Sequence, residues 1–178
     1  MNAVGIIPVR LESSRLPNKA ILDICGLPMF VHTCKRALLA ETLDEVFLAT
    51  DNKKIAEIAN KHNIKVIMTS TTHKNSTERI AEACEKIDCD IIVNIQGDEP
   101  FINPADIKLV GACFTREHTK IATLVKKIKD VETLINPDSP KVVLGVNNQA
   151  LYFSREIIPH IRSVDKSDWL SKKDFYQH

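Results

Sequence analysis

Neither the Walker-type G-x-x-x-x-G-K-[ST] motif nor the dinucleotide G-x-G-x-x-G fingerprint occurs in this chain, so both glycine-built phosphate cradles are excluded. Phosphate binding, where it occurs, must rest on side-chain cations and loop amides. No apolar run approaches the ~20 residues that cross a bilayer. The amino terminus, Met1 to Gly5, has no basic region leading into an apolar core of the secretory kind. The expectation is a cytoplasmic protein without membrane insertion. A basic excess is missing too: the net charge of +1 argues against a general nucleic-acid or membrane-surface binder. The five cysteines (Cys25, Cys34, Cys84, Cys89 and Cys113) include no C-x-x-C pair, which argues against a zinc site and a disulfide framework. Cys34, Cys84 and Cys113 fall on apolar helical stripes and are expected to be buried thiols. Repeats, low-complexity tracts and long charge blocks are absent as well.

What is present suits a globular domain. Of the 178 residues, 44% are hydrophobic and 26% charged, enough for one large domain. Short apolar runs alternate with helical stripes. Ala3–Ile7, Val46–Thr50, Ile64–Met68 and Asp90–Ile95 read as buried strands, and Ile121–Val125 as a fifth. Phe30, Val31, Cys34, Ala37 and Leu38 give a 3.6-residue stripe after Pro28; Asp51-Asn52 can cap a second helix, Asn75 or Ser76 a third, and Asn103 a fourth. This alternation predicts an α/β fold, a doubly wound and mostly parallel sheet. Lys141–Val146 and Ala150–Ser154 flank Asn147-Asn148-Gln149 and predict a smaller antiparallel hairpin near the carboxyl terminus. The polar stretch after His160 is expected to be a mobile loop.

Two stretches carry chemistry. The first strand ends at Pro8, and the loop after it holds Arg10, Ser13, Ser14, Arg15, Pro17 and Lys19. Cations just past the carboxyl end of a first strand sit in the crevice where open α/β sheets bind ligands. Ordinary solvated charges are the alternative; the position favours a strongly anionic ligand, a nucleoside triphosphate first of all. The second stretch, Gln96-Gly97-Asp98-Glu99-Pro100, follows the fourth strand. One carboxylate there can serve Mg²⁺, which keeps waters and bridges phosphate oxygens with only one or two protein ligands.

These stretches resemble a known family. Ile7-Pro8-Val9-Arg10 and Ser14-Arg15-Leu16-Pro17-Asn18-Lys19 are similar to the signature of the sugar-acid cytidylyltransferases, above all the 3-deoxy-manno-octulosonate (Kdo) cytidylyltransferases. The likeness continues at Gly26-Leu27-Pro28-Met29, Ala49-Thr50-Asp51, Met68-Thr69-Ser70, Val93–Pro100, Lys141–Leu144 and Ala150–Arg155, covering nearly the whole chain in order.

The resemblance implies a Rossmann-like nucleotidyltransferase fold and transfer of CMP from CTP to the anomeric hydroxyl of Kdo or a Kdo-like acid. Pyrophosphate is released, and the product serves lipopolysaccharide precursor synthesis. It implies Mg²⁺ on Asp98, catalytic roles for Arg10, Lys19 and Asp98, and nucleotide contacts from Arg10, Ser14, Arg15, Lys19, Ser70, Ser76, Thr77 and Arg79. It further implies sugar contacts from Gln96 and His178, and a homodimer. Where the family has Ser-Gly-Thr-Asp-Arg, this chain has Asn75-Ser76-Thr77-Glu78-Arg79, and the lost glycine restricts the backbone beside the ligand. An amino-modified Kdo is consistent with these departures. Family members continue past the segment that ends here at His178, with a second acidic metal ligand and further sugar contacts, so residues 1–178 are expected to be one nucleotidyltransferase domain, incomplete at its carboxyl end. A cytidylyltransferase for a sialic-acid-like nonulosonate and a catalytically incomplete nucleotide-binding fragment are the competing readings.

Overall fold

The computed structural model describes residues 1–12, 16–116 and 118–178. The chain divides into two compact units, Met1–Lys120 and Ile121–His178.

In the first unit, strands β1 (Ala3–Pro8), β4 (Glu45–Thr50), β5 (Lys65–Met68) and β6 (Ile91–Asn94) form a parallel sheet in the order β5-β4-β1-β6. A two-stranded antiparallel ribbon, β2 (Asp23–Ile24) with β3 (Leu27–Pro28), precedes the first helix. The helices are α1 (Met29–Ala37), α2 (Lys53–Lys61), α3 (Ser76–Cys84) and α4 (Pro104–Ala112). Each starts where the sequence offers a stop for the preceding backbone. Pro28 leads into α1, while the side chains of Asn52, Asn75 and Asn103 accept from the first free amides of α2, α3 and α4.

The period-2 alternation of β1 divides its side chains between two cores. Ala3 and Ile7 pack with Phe30, Val31 and Cys34 of α1 and Ile55 and Ala59 of α2. Val4 and Ile6 face the other way, with Ile80 and Ala83 of α3. Helices therefore cover both faces, the doubly wound arrangement that the alternation predicts. From β1 the chain winds outward to β4 and β5, then returns past β1 to β6. The winding direction reverses between β1 and β6, and ligands bind at such a switch point. Parallel pairing from Ala3↔Ile91 to Ile6↔Asn94 brings the carboxyl ends of both strands together.

In the second unit, β7 (Lys126–Lys127), β8 (Lys141–Leu144), β9 (Ala150–Ser154) and β10 (Tyr176–Gln177) form an antiparallel sheet ordered β7-β10-β8-β9. The short helices α5 (Val131–Ile135) and α6 (Trp169–Lys172) complete it. The expected hairpin is present as β8 and β9. Two expectations are corrected here. Ile121–Val125 forms no strand: Ile121 is 90% exposed, and the pairing begins only at Lys126. A short apolar run does not specify a partner, and this one has no strand partner among the described residues. The stretch after His160 is packed rather than loose. Trp169 and Phe175 stack at 6.1 Å and bury themselves with Ile128 and Leu134, and the indole N–H donates to the Val164 carbonyl. The polar composition of that stretch hid two aromatic anchors. Among the described residues no helix is long and apolar enough to cross a membrane.

Candidate nucleotide-binding site

A cavity of about 630 Å³ opens at the switch point, within the size range of small-molecule sites. From β1 and its loop come Pro8, Val9, Arg10, Glu12, Leu16 and Lys19; from the turn after β6 come Gln96, Gly97 and Asp98. The start of α3 and the residues before it contribute His73, Lys74, Asn75, Ser76 and Arg79.

The backbone around the cavity is tight. Gly97 lies so close to the end of β1 that a Cβ there would stand 2.6 Å from Val9 Cγ2 and 2.9 Å from the Pro8 carbonyl oxygen. Any larger residue would force the two strand ends apart. Thr33, fully buried in α1, donates its hydroxyl to the Gly97 carbonyl at 3.2 Å and holds the turn from below. On the β1 side, Asn18 takes a left-handed conformation (φ 55°), which asparagine tolerates better than most residues. The turn it makes launches Lys19 toward β6.

Lys19 Nζ meets Asp98 Oδ2 at 2.6 Å. The lysine side chain is 34% and the aspartate 49% exposed, so the pair adds little to stability. Its effect is positional: a cation and a carboxylate from opposite strand ends are fixed side by side over the cavity. Arg10 is exposed and makes no ion pair among the described residues, leaving its guanidinium available to an anion. Ser14 and Arg15 lie outside the described residues.

Arg79 lines the cavity and is held from behind by two hydrogen bonds. It is only 4% exposed; Nη2 donates to Asp51 Oδ2 at 2.8 Å and Nη1 to Thr69 Oγ1 at 2.5 Å. It ties the ends of β4 and β5 to the first turn of α3, touching the cavity wall while committed to that network. Ser76 lines the cavity, whereas Thr77 is exposed and neither it nor Ser70 is among the lining residues. The Ser70 amide instead donates to Glu82. Gln96 lines the cavity and donates through Nε2 to Asn94 Oδ1 at 3.1 Å. His178 belongs to the second unit, where Nε2 is 2.7 Å from Thr123 Oγ1 and the ring packs edge-on against Phe153.

Sequence reasoning passed over His73, Lys74 and Thr33. His73 Nε2 lies 2.6 Å from Glu82 Oε2. Glu82 also accepts from the Ser70 amide at 2.7 Å and Lys86 Nζ at 2.9 Å, and these donors, the Ser70 amide first, lower its pKa to about 2. The one signal of this corner in the sequence is the cap. Asn75 Oδ1 accepts from the Glu78 amide while Glu78 reaches back to the Lys74 amide, a variant of the capping box that fixes the chain just after His73.

A parallel sheet with a cavity at its switch point, flanked by cations from one strand end and a carboxylate from the next, defines a protein of the nucleotide-binding α/β class. The cytidylyltransferase family pattern matches residues 4–178, and the chain belongs to that family. It is 45% identical, over 184 residues, to 3-deoxy-manno-octulosonate cytidylyltransferase of Parabacteroides distasonis, with all of this chain and 72% of that protein covered. It is also 45% identical to the protein of the same name from Bacteroides thetaiotaomicron, with the same shares covered. The structure superposes on that of CMP:2-keto-3-deoxy-manno-octonic acid synthetase complexed with CTP. The TM-score is 0.92 at 36% identity, covering all of this chain and 71% of the other.

Proposed function

We propose that this chain transfers the cytidylyl group of CTP to the anomeric hydroxyl of Kdo or a Kdo-like sugar acid, for lipopolysaccharide precursor synthesis. The observation that carries this reading is the joining of Arg10, Lys19 and Asp98 at one switch-point cavity. It occurs in a chain that superposes on a CTP-complexed synthetase at TM-score 0.92.

In this reading the hydroxyl oxygen of the sugar acid loses its proton and bonds to the α-phosphorus. The bond from that phosphorus to the bridging oxygen breaks, and pyrophosphate leaves with the electron pair. Such a reaction needs placement and charge neutralisation rather than a covalent protein intermediate. Arg10 and Lys19 hold the triphosphate, and the family resemblance adds Ser14 and Arg15 to them. Gln96, on the opposite lip, contacts the sugar acid, and Ser76 contributes to the nucleotide wall. Arg79 acts through the wall it braces. Ser70 and Thr77 are secondary in this scheme, and a sugar contact from His178 rests on the family resemblance alone.

The donor set of the cavity fits Mg²⁺ bound chiefly by substrate phosphates. Asp98 is a hard, half-exposed carboxylate, and no group of three His, Cys, Asp or Glu forms a ready-made cage among the described residues. Asp98 would hold the ion, which when bound neutralises phosphate charge and lowers the pKa of an attacking hydroxyl. Until then Lys19 occupies the carboxylate. The enzyme works in the cytoplasm, where CTP is found. It functions as a homodimer, a reading supported by the exposed apolar side chains of the edge strand β9, Leu151, Tyr152 and Phe153.

Pyrophosphate release measured over the four nucleoside triphosphates and several sugar acids tests this. Release should require CTP together with a Kdo-type acid. Lys19→Ala should lower kcat/KM at least tenfold with folding intact, and Asp98→Asn should raise the Mg²⁺ concentration needed for half-maximal rate. Wild-type turnover in Lys19→Ala, or coincident Mg²⁺ curves, would remove these residues from their roles.

A further inference from the structure

Asp98 reaches the cavity on a stretch of backbone that the sheet does not hold. The last ladder bond on the β6 side runs from the Ile95 amide to the Ile6 carbonyl at 3.0 Å, and regular structure resumes only at Asn103, the cap of α4. Between them the chain makes two successive turns. The Glu99 amide donates to the Gln96 carbonyl, and the Ile102 amide to the Glu99 carbonyl. The Asp98 side chain offers no second hold, since Lys19 is its one partner among the described residues. In the proposed reading that lysine turns to phosphate, and the carboxylate must then keep its place through the backbone alone.

Two side chains of α1 supply that hold. Thr33 and Arg36 lie one helical turn apart and so share a face. The Thr33 hydroxyl donates to the carbonyl of Gly97, in the peptide unit directly before Asp98. Arg36 Nε donates to the Ile102 carbonyl at the far end of the same segment, and the Ile102 side chain packs against the core that α1 shares with β1. A part-buried guanidinium ordinarily pairs with a carboxylate. Arg36 has no such partner among the described residues and gives its Nε to one backbone carbonyl, in a charge-assisted bond stronger than a neutral one. Its place in the last turn of α1 also suits the helix dipole. The dipole explains a cation there, but not the contact with Ile102.

We propose that Arg36, together with Thr33, is a positioning residue for Asp98. Helix α1 grips the Gly97–Ile102 turn at both ends and keeps the carboxylate where a phosphate-bound divalent cation can take it. This inference rests on the reading of the cavity as a CTP site with a metal at Asp98.

Calorimetric titration of the whole chain with CTP, with and without Mg²⁺, tests it through the ratio of the two Kd values. Mg²⁺ should tighten binding to wild type. Arg36→Met keeps the apolar stem, and Thr33→Val keeps the branched shape. Each should cut that tightening about tenfold, the scale of one oriented hydrogen bond. Thr33→Ser, which retains the hydroxyl, should preserve it. Loss of packing or of the helix-end charge alone would lower Tm and leave the ratio unchanged. An unchanged ratio in folded Arg36→Met overturns the inference, and where that variant does not fold, equal ratios in Thr33→Val and Thr33→Ser do the same. Wild type whose CTP affinity ignores Mg²⁺ removes the metal from Asp98, and wild type that binds no CTP removes the nucleotide reading; either result takes this inference with it.

Discussion

Replacing Arg79 by alanine separates a structural brace from a ligand contact, and the structure sets the size of the effect. The guanidinium is 4% exposed and donates to Asp51, itself 19% exposed in its side chain, and to Thr69. Truncation leaves a largely enclosed carboxylate and a buried hydroxyl without their donors. Removing one partner of a buried pair costs about 3–5 kcal/mol, and the partial exposure of Asp51 brings this to roughly 2–4 kcal/mol. For a unit the size of Met1–Lys120 each kcal/mol lowers Tm by about 3–4 °C, so the expected drop is roughly 6–16 °C. Thermal unfolding by circular dichroism would measure it. Asp51→Asn combined with Arg79→Met should cost less than the sum of the single changes, since each single change strands the other partner. A Tm within about 2 °C of wild type, together with lost CTP binding, would refute the reasoning and make Arg79 a ligand residue.

Further outcomes are open to direct measurement. Gly97→Ala should destabilise by about 1–3 kcal/mol and abolish nucleotide binding, because its methyl meets the Pro8 carbonyl at 2.9 Å; urea denaturation and calorimetry report the two effects. Glu82, lowered from 4.5 to about 2 in the folded protein, binds fewer protons there than in the unfolded chain, so its stabilising effect is complete above 4.5 and fades as pH falls toward 2. Denaturant midpoints across that window should therefore fall less steeply for Glu82→Gln than for wild type.

The parts of the fold legible in the sequence are those where a local pattern has one solution. The strands at Ala3, Val46, Ile64 and Asp90 are apolar runs flanked by helix caps, and parallel burial on both faces is what such runs require. Asn52, Asn75 and Asn103 announce their helices by the same chemistry that caps them. Arg10 and Lys19 were legible as cavity residues because they follow the first strand and belong to a stretch that resembles a family signature. Thr33 was not: in sequence it is one more small residue on a helix stripe, and only the crossing of α1 beneath the β6 turn gives its hydroxyl the Gly97 carbonyl. His73 was hidden for a similar reason. Glu82 reaches it from two turns into α3, a spacing that says nothing until the loop before the helix folds back.

Arg79 shows how a motif can preserve a residue without fixing its task. A basic side chain in the first turn of a helix beside a phosphate-binding cavity reads as an anion contact. Yet the turn after β4 places Asp51 within 2.8 Å, and the turn after β5 supplies the Thr69 hydroxyl. Once both are in place, the guanidinium is fixed to the wall, and any contact with a ligand must come from the N–H groups it has left. The exposed positive charge at the cavity then comes from Arg10 and Lys74, and from Lys19 once it parts from Asp98. In the proposed reading Lys19, paired with Asp98 here, would release that carboxylate when it serves a metal. The cavity is thus built in two layers: a buried ion pair that sets the distance between β4, β5 and α3, and a solvent-exposed one at the mouth that, in the proposed reading, a triphosphate with its metal would take apart. The same charge chemistry is rigid in one place and exchangeable in the other because burial raises the cost of separation.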